Sequence, residues 1–118
     1  MSNILIVDDE RSIREMLEIL LTREGYQVAT AGSGPEALAL FKKTPFTLVL
    51  TDIRMHPMDG LSLVKEIKAI RRQTEVIMIS AFASQETAIE AMNEGAYDFF
   101  PKPFDNQDRG LWKYQSHP

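Results

Sequence analysis

Apolar and polar positions along this chain switch repeatedly between a strand-like run and a helical period. Ile4-Leu5-Ile6-Val7 is a continuous apolar run closed by Asp8-Asp9-Glu10, the pattern of a strand buried on both faces. From Arg11 the apolar positions Ile13, Met16, Leu17, Leu20 and Leu21 follow helical spacing, and Gly25 is placed to end that helix in a left-handed conformation. Gln27 to Ala31 has the mixed polarity of an edge strand. Ser33-Gly34-Pro35-Glu36 reads as a capping box that opens a second helix with Ala37, Leu38 and Phe41 inward. Phe46 to Thr51 predicts a central strand that ends abruptly in Asp52 and a turn-forming segment. Asp59-Gly60 leads into a third helix whose inner stripe is expected to be Leu63, Val64, Ile67 and Ile70. Val76 to Ile79 predicts a fourth buried strand, closed by Ser80-Ala81. Ser84 then caps a fourth helix with a thin inner stripe of Ala88, Ala91 and Met92, and Tyr97 to Phe100 supplies a last short strand before Pro101-Lys102-Pro103-Phe104.

Strands alternating with helices imply a parallel sheet, and right-handed crossovers leave a doubly wound α/β sandwich with a five-stranded sheet in the order 2-1-3-4-5. The other nucleotide-binding order is disfavoured because no Gly-x-Gly-x-x-Gly follows the first strand. At 118 residues one core is expected. The composition, 44% hydrophobic and 25% charged, is that of an ordinary globular protein, with no apolar run long enough for a membrane helix. No secretory signal is visible at the start, so the cytoplasm is the expected compartment. Cysteine is absent, which excludes disulfides and thiol chemistry and leaves oxygen ligands for any metal. A net charge of -4 argues against nonspecific nucleic-acid binding, because phosphates need positive charge to neutralise them.

In a parallel sheet the carboxyl ends of the strands share one edge, where ligands bind. Asp8, Asp9, Asp52, Ser80 and Lys102 would all collect there. Each has a plain structural role available: Asp8 and Asp9 as helix caps, Ser80 as a cap, Lys102 as a solvated turn residue. Together they make a chemical site. Three carboxylates within a few ångströms repel one another unless a cation neutralises them, and Mg2+ suits such oxygen ligands together with a phosphoryl group. Asp52 would then be the nucleophile toward phosphorus, with Lys102 pairing the phosphoryl charge and Ser80 donating a hydroxyl hydrogen bond.

Val7-Asp8-Asp9-Glu10, Thr51-Asp52-Ile53-Arg54-Met55, Met58-Asp59-Gly60, Ser80-Ala81 and Lys102-Pro103-Phe104 stand in the order and spacing of the receiver (phosphoacceptor) domains of two-component response regulators, and residues 3 to 104 resemble that family. The resemblance implies a flavodoxin-like fold, with a receiver domain over 1–104 and an atypical tail, 105–118, in place of a full fifth helix. It implies that Asp52 accepts a phosphoryl group from a sensor histidine kinase. Asp9, Asp52 and the Arg54 backbone carbonyl would bind Mg2+, with Asp8 acting through water. Ser80 and Phe99 would be the switch residues that move the helix 4/strand 5 surface. The segment Ser80 to Phe104 looks most like receivers of ATPase-type transcription activators, so the expected output is transcription, with no direct nucleic-acid contact and no membrane contact by this domain. A homodimer through the helix 4/strand 5 face or through an exchanged tail is compatible with it. The domain is not expected to be an enzyme beyond its own phosphoryl transfer and dephosphorylation. The alternative, a Mg2+-dependent aspartate-nucleophile phosphatase, needs a second acid two residues after the nucleophile, and position 54 is arginine.

Two departures from the family pattern stand out. His56 precedes Pro57, where relatives carry proline directly after the methionine, and it reads as a solvent-facing loop residue because neutral imidazole prefers softer metals. The tail 105–118 lacks a helical stripe: Gly110 interrupts it, and Leu111, Trp112 and Tyr114 do not share a face.

Overall fold

The computed structural model describes residues 3–53, 55, 57–80, 89–90 and 92–101. Their elements are β1 (Asn3–Val7), α1 (Arg11–Arg23), β2 (Gln27–Ala31), α2 (Gly34–Lys43), β3 (Leu48–Asp52), α3 (Gly60–Ile70), β4 (Glu75–Ser80) and β5 (Asp98–Pro101). All neighbouring strands are parallel, in the order β2-β1-β3-β4-β5. Residues 89, 90, 92 and 93 are helical. Among the described residues no helix is long and apolar enough to cross a membrane.

The two faces of the sheet are sorted by the period-2 alternation of side chains along each strand. Ile4 and Ile6 of β1 face α1, where they pack with its Leu17 and Leu21 and with Leu50, Ile77 and Ile79 of the neighbouring strands. Leu5 and Val7 face the other way, toward Ala37 and Phe41 of α2 and Leu63, Val64 and Ile67 of α3. A strand that must be apolar on both faces explains the unbroken runs in β1, β3 and β4. Each of these fully buried aliphatic side chains contributes about 1.5–3 kcal/mol by leaving water.

Local signals set the helix limits. Gly25 has φ +96°, with its N–H donating to the Thr22 carbonyl and the Tyr26 N–H to the Leu21 carbonyl, which satisfies the last carbonyls of α1. Ser33 caps α2 by accepting the Glu36 N–H at 3.3 Å, while the Glu36 carboxylate reaches one residue farther back than a capping box requires, to the Gly32 N–H at 2.9 Å. Asp59 caps α3 by accepting the Ser62 N–H at 2.8 Å.

Three expectations need correction. Phe46 is not in the central strand; it lies before β3, buried and stacked on Phe41 with ring centroids 6.3 Å apart. Ile70, the last residue of α3, is 45% exposed rather than part of the inner stripe that Leu63, Val64 and Ile67 form. Met92 is 47% exposed rather than part of an inner stripe, and Ile89 beside it is exposed too. Ser84, Ala88, Ala91 and the tail 105–118 lie outside the described residues.

Candidate functional site

Strand register brings the acidic residues together. Val7 is paired with Thr51, so the next residues along β1 and β3, Asp8 and Asp52, are neighbours at the carboxyl edge. Asp8 is 2% exposed, Asp52 6%, and Asp9 beside them is open to solvent. One carboxylate oxygen from each of the three lies within 4.8 Å of the others.

Asp8 and Asp52 are carried by backbone that is held by neighbouring groups. Asp8 donates its N–H to the Ala31 carbonyl at 3.1 Å, which ties it to the end of β2. Its side chain accepts the Glu10 N–H at 2.9 Å, and its carbonyl accepts Nη1 of Arg14 at 2.6 Å. The helix-capping role foreseen for Asp8 is not made: Glu10 is the N-cap of α1 and no side chain caps it, while the Asp8 carboxylate closes a local turn on the Glu10 N–H instead. On β3, the buried Thr51 hydroxyl donates to the Asp52 carbonyl at 3.0 Å.

The chain after Asp52 turns back under the site because residue 60 is glycine. A Cβ there would overlap the Asp52 carbonyl oxygen and stand 2.9 Å from Ile53 Cα and from Met78 Cε. Without one, the Gly60 N–H reaches the Ile53 carbonyl at 2.7 Å, and α3 starts against the end of β3. Met58, in the same connection, packs on Gly34 at the start of α2, where an added Cβ would lie 2.9 Å from its Cβ and Sδ. The loop that follows the central carboxylate is thus pinned to two helices.

Chemically, this is an all-oxygen donor set with two members nearly excluded from water. Burying carboxylate charge is costly unless a counter-charge accompanies it. A Mg2+ ion holds oxygens at about 2.0–2.1 Å, which puts two of its ligands roughly 3–4 Å apart, and the spacing of these oxygens fits that demand. Hard carboxylate donors without histidine or thiolate favour Mg2+ over softer metals.

Of the residues expected at this edge, the structure brings Asp8, Asp9 and Asp52 together. Ser80 ends β4, one residue beyond the Ile79 that pairs with Asp52, and is itself paired with Pro101; Phe99 is in β5 beside Met78. Lys102, directly after Pro101 in sequence, lies outside the described residues, as do Arg54 and His56. Arg14 and Gly60's close approach were not foreseen as parts of the site. The signal for Arg14 was present: helical side chains lean toward the N-terminus, so a long residue one turn into α1 can reach back over the acidic turn.

Comparison with known proteins follows the same lines. A family model described as the response regulator receiver domain matches residues 4–109. The transcriptional regulatory protein ZraR of Escherichia coli (strain K12) is 44% identical over 117 residues, 98% of this chain and 26% of that protein. The chain thus spans about a quarter of the length of the curated relatives it matches. The response regulator TrrA from Thermotoga maritima, solved in complex with Mg(2+)-BeF, superposes with a TM-score of 0.84 at 34% identity, covering 98% of this chain and 97% of that one. The beryllofluoride-activated NtrC4 receiver domain dimer superposes with a TM-score of 0.88 at 36% identity, covering 98% and 94%.

Proposed function

Because this chain belongs to the response regulator receiver domain family, we propose that Asp52 is its phosphoacceptor, taking a phosphoryl group from the phosphohistidine of a sensor histidine kinase. The observation that carries this reading is the cluster of Asp8, Asp9 and Asp52 at the carboxyl edge, with Asp52 ending the central strand. A carboxylate oxygen of Asp52 attacks phosphorus as the phosphorus–nitrogen bond of the donor breaks, and the electron pair leaves with the imidazole, which takes up a proton. Mg2+ held by Asp9, Asp52 and the Arg54 carbonyl, with Asp8 acting through water, would supply positive charge against the phosphoryl oxygens. Lys102 pairs with the phosphoryl group as a point charge and Ser80 donates its hydroxyl to it. Asp52 itself is kept in place by the Thr51 hydroxyl and by the close passage of Gly60.

The readout belongs to Ser80 and Phe99 and to the surface beside them. Ile89, Met92 and Tyr97 are all exposed there, an apolar face suited to a second copy of the domain or to an output partner. That a receiver can dimerise is supported by the NtrC4 receiver domain dimer; the routes in this reading are this face or an exchanged tail. The receiver spans 1–104, and 105–118 stands in place of a full fifth helix on the five-stranded sheet. The relatives' names, which describe transcriptional regulators, support transcription as the output; in this reading the domain is the receiver of an ATPase-type activator and works in the cytoplasm. The match over residues 4–109 supports a phosphoacceptor over an aspartate-nucleophile phosphatase, which would need an acid where Arg54 stands.

Intact mass and peptide mapping after incubation with acetyl phosphate and Mg2+ test this. A phosphoryl adduct on Asp52, absent from Asp52→Asn and from a chelator-treated sample, is expected. An adduct elsewhere, or no adduct on folded protein, refutes it.

A further inference from the structure

The basic side chain of Arg14 is hydrogen-bonded to the acidic turn. Its Nη1 donates to the Asp8 carbonyl at 2.6 Å, and the same atom lies 3.4 Å from where a Cβ of Gly32 would stand, so the guanidinium is wedged between the β1–α1 turn and the turn that follows β2. The neighbouring Arg11 does something different: it pairs with Glu15 at 2.9 Å on the open surface. Arg14 is half-buried and directed at backbone.

That contact bears on Asp9. Asp8 is anchored by the Ala31 carbonyl and the Glu10 N–H, but Asp9 is exposed and makes no hydrogen bond or ion pair among the described residues. Its carboxylate is therefore aimed by its backbone alone. The Asp8 carbonyl belongs to the peptide plane that joins Asp8 to Asp9, and fixing that oxygen fixes the direction in which Asp9 leaves the turn. A guanidinium bond to an uncharged carbonyl also brings a permanent positive charge to the base of a cluster of three carboxylates, which reduces their mutual repulsion.

We propose that Arg14 is a positioning residue for the metal-binding turn, presetting Asp9 for a divalent cation by locking the Asp8–Asp9 peptide. This rests on the reading of Asp8, Asp9 and Asp52 as a Mg2+ site. The residue acts before any cation arrives, so its loss shows in binding and in the metal-free protein, and not only in phosphoryl transfer.

The test is calorimetric titration of Mg2+ into the wild-type chain and into Arg14→Ala, Arg14→Lys, Arg14→Gln and Arg11→Ala, with amide NMR spectra of each protein without metal. Removing a group that orients a metal ligand is expected to raise the Kd for Mg2+ about tenfold in Arg14→Ala. Arg14→Lys, which keeps a charged donor, should recover most of the affinity, and Arg11→Ala should match the wild type. The Asp9 and Glu10 amide resonances should shift in metal-free Arg14→Ala, and phosphorylation by acetyl phosphate should fall at low Mg2+ and return at saturating Mg2+. Arg14→Gln, which keeps a donor without charge, carries the comparison should Arg14→Ala fail to fold. Wild-type affinity with unshifted Asp9 and Glu10 resonances in the Arg14 variants overturns the proposal while leaving the Mg2+ site intact. A wild-type chain that does not bind Mg2+ overturns the site reading, and this inference with it.

Discussion

Gly60→Ala separates local propensity from tertiary constraint. Residue 60 opens α3, and on helix propensity alone alanine would stabilise the chain by about 1 kcal/mol. The surroundings demand the opposite. The new methyl would overlap the Asp52 carbonyl oxygen and crowd Ile53 Cα at 2.9 Å, both backbone atoms of the connection that must stay where they are, and Met78 Cε at 2.9 Å, which can swing away. Overpacking of this sort costs about 1–3 kcal/mol. Pushing α3 outward also stretches the Gly60 N–H bond to the Ile53 carbonyl, now 2.7 Å, for about another 1 kcal/mol. Against the propensity gain, the net is a loss of roughly 1–3 kcal/mol, or about 3–15 °C in Tm for a chain of this size. Because the displaced atoms carry Asp52, phosphorylation by acetyl phosphate should slow even under conditions where the variant is fully folded. Urea denaturation followed by circular dichroism measures the first effect, and intact mass against time the second. A Gly60→Ala chain as stable as the wild type, with the same phosphorylation rate, would refute the argument that the missing Cβ lets β3 and α3 close together.

Three further outcomes follow from other contacts. Gly25→Ala meets no atom within 4 Å, so its cost should come from the positive φ alone, about 1 kcal/mol in the same denaturation assay; an unchanged midpoint would remove the left-handed cap as a contributor. Thr74→Val keeps the shape of a fully buried side chain but deletes its 2.6 Å hydrogen bond to the Phe46 carbonyl, and leaving that oxygen unsatisfied should cost about 1–3 kcal/mol, whereas wild-type stability would show the bond to be dispensable. Met92→Ser should change stability by less than about 0.5 kcal/mol if the residue is as exposed as the structure has it, while a loss above about 2 kcal/mol would return it to the core.

By itself the sequence determined the alternation of strand and helix and the position of the acids, because both are written in one-dimensional patterns. The runs Ile4–Val7 and Leu48–Leu50 are apolar at every position, which only a strand covered on both faces requires; the first is followed directly by Asp8 and the second by Thr51 and Asp52. Parallel strands then leave Asp8, Asp9 and Asp52 at one edge, where the structure has them. Ser33, Asp59 and Gly25 announce helix ends through interactions spanning three to five residues.

Tertiary structure decided whatever depends on which surface meets which. Ile70 and Met92 have helical spacing that suits an inner stripe, yet in the folded chain both are exposed. Phe46 is as apolar as a strand residue, but its place was set by stacking on Phe41 of α2. Glycine at 60 reads as a turn residue in the sequence; only the assembled sheet and helix show that a carbonyl of the central carboxylate occupies the space a side chain would need. Arg14, whose basic side chain looks from the sequence like one more solvated charge on α1, becomes part of the site because folding lays the first turn of that helix over the Asp8 carbonyl. Periodicity records burial and local caps, while contacts between elements distant in sequence exist only once the chain has closed on itself.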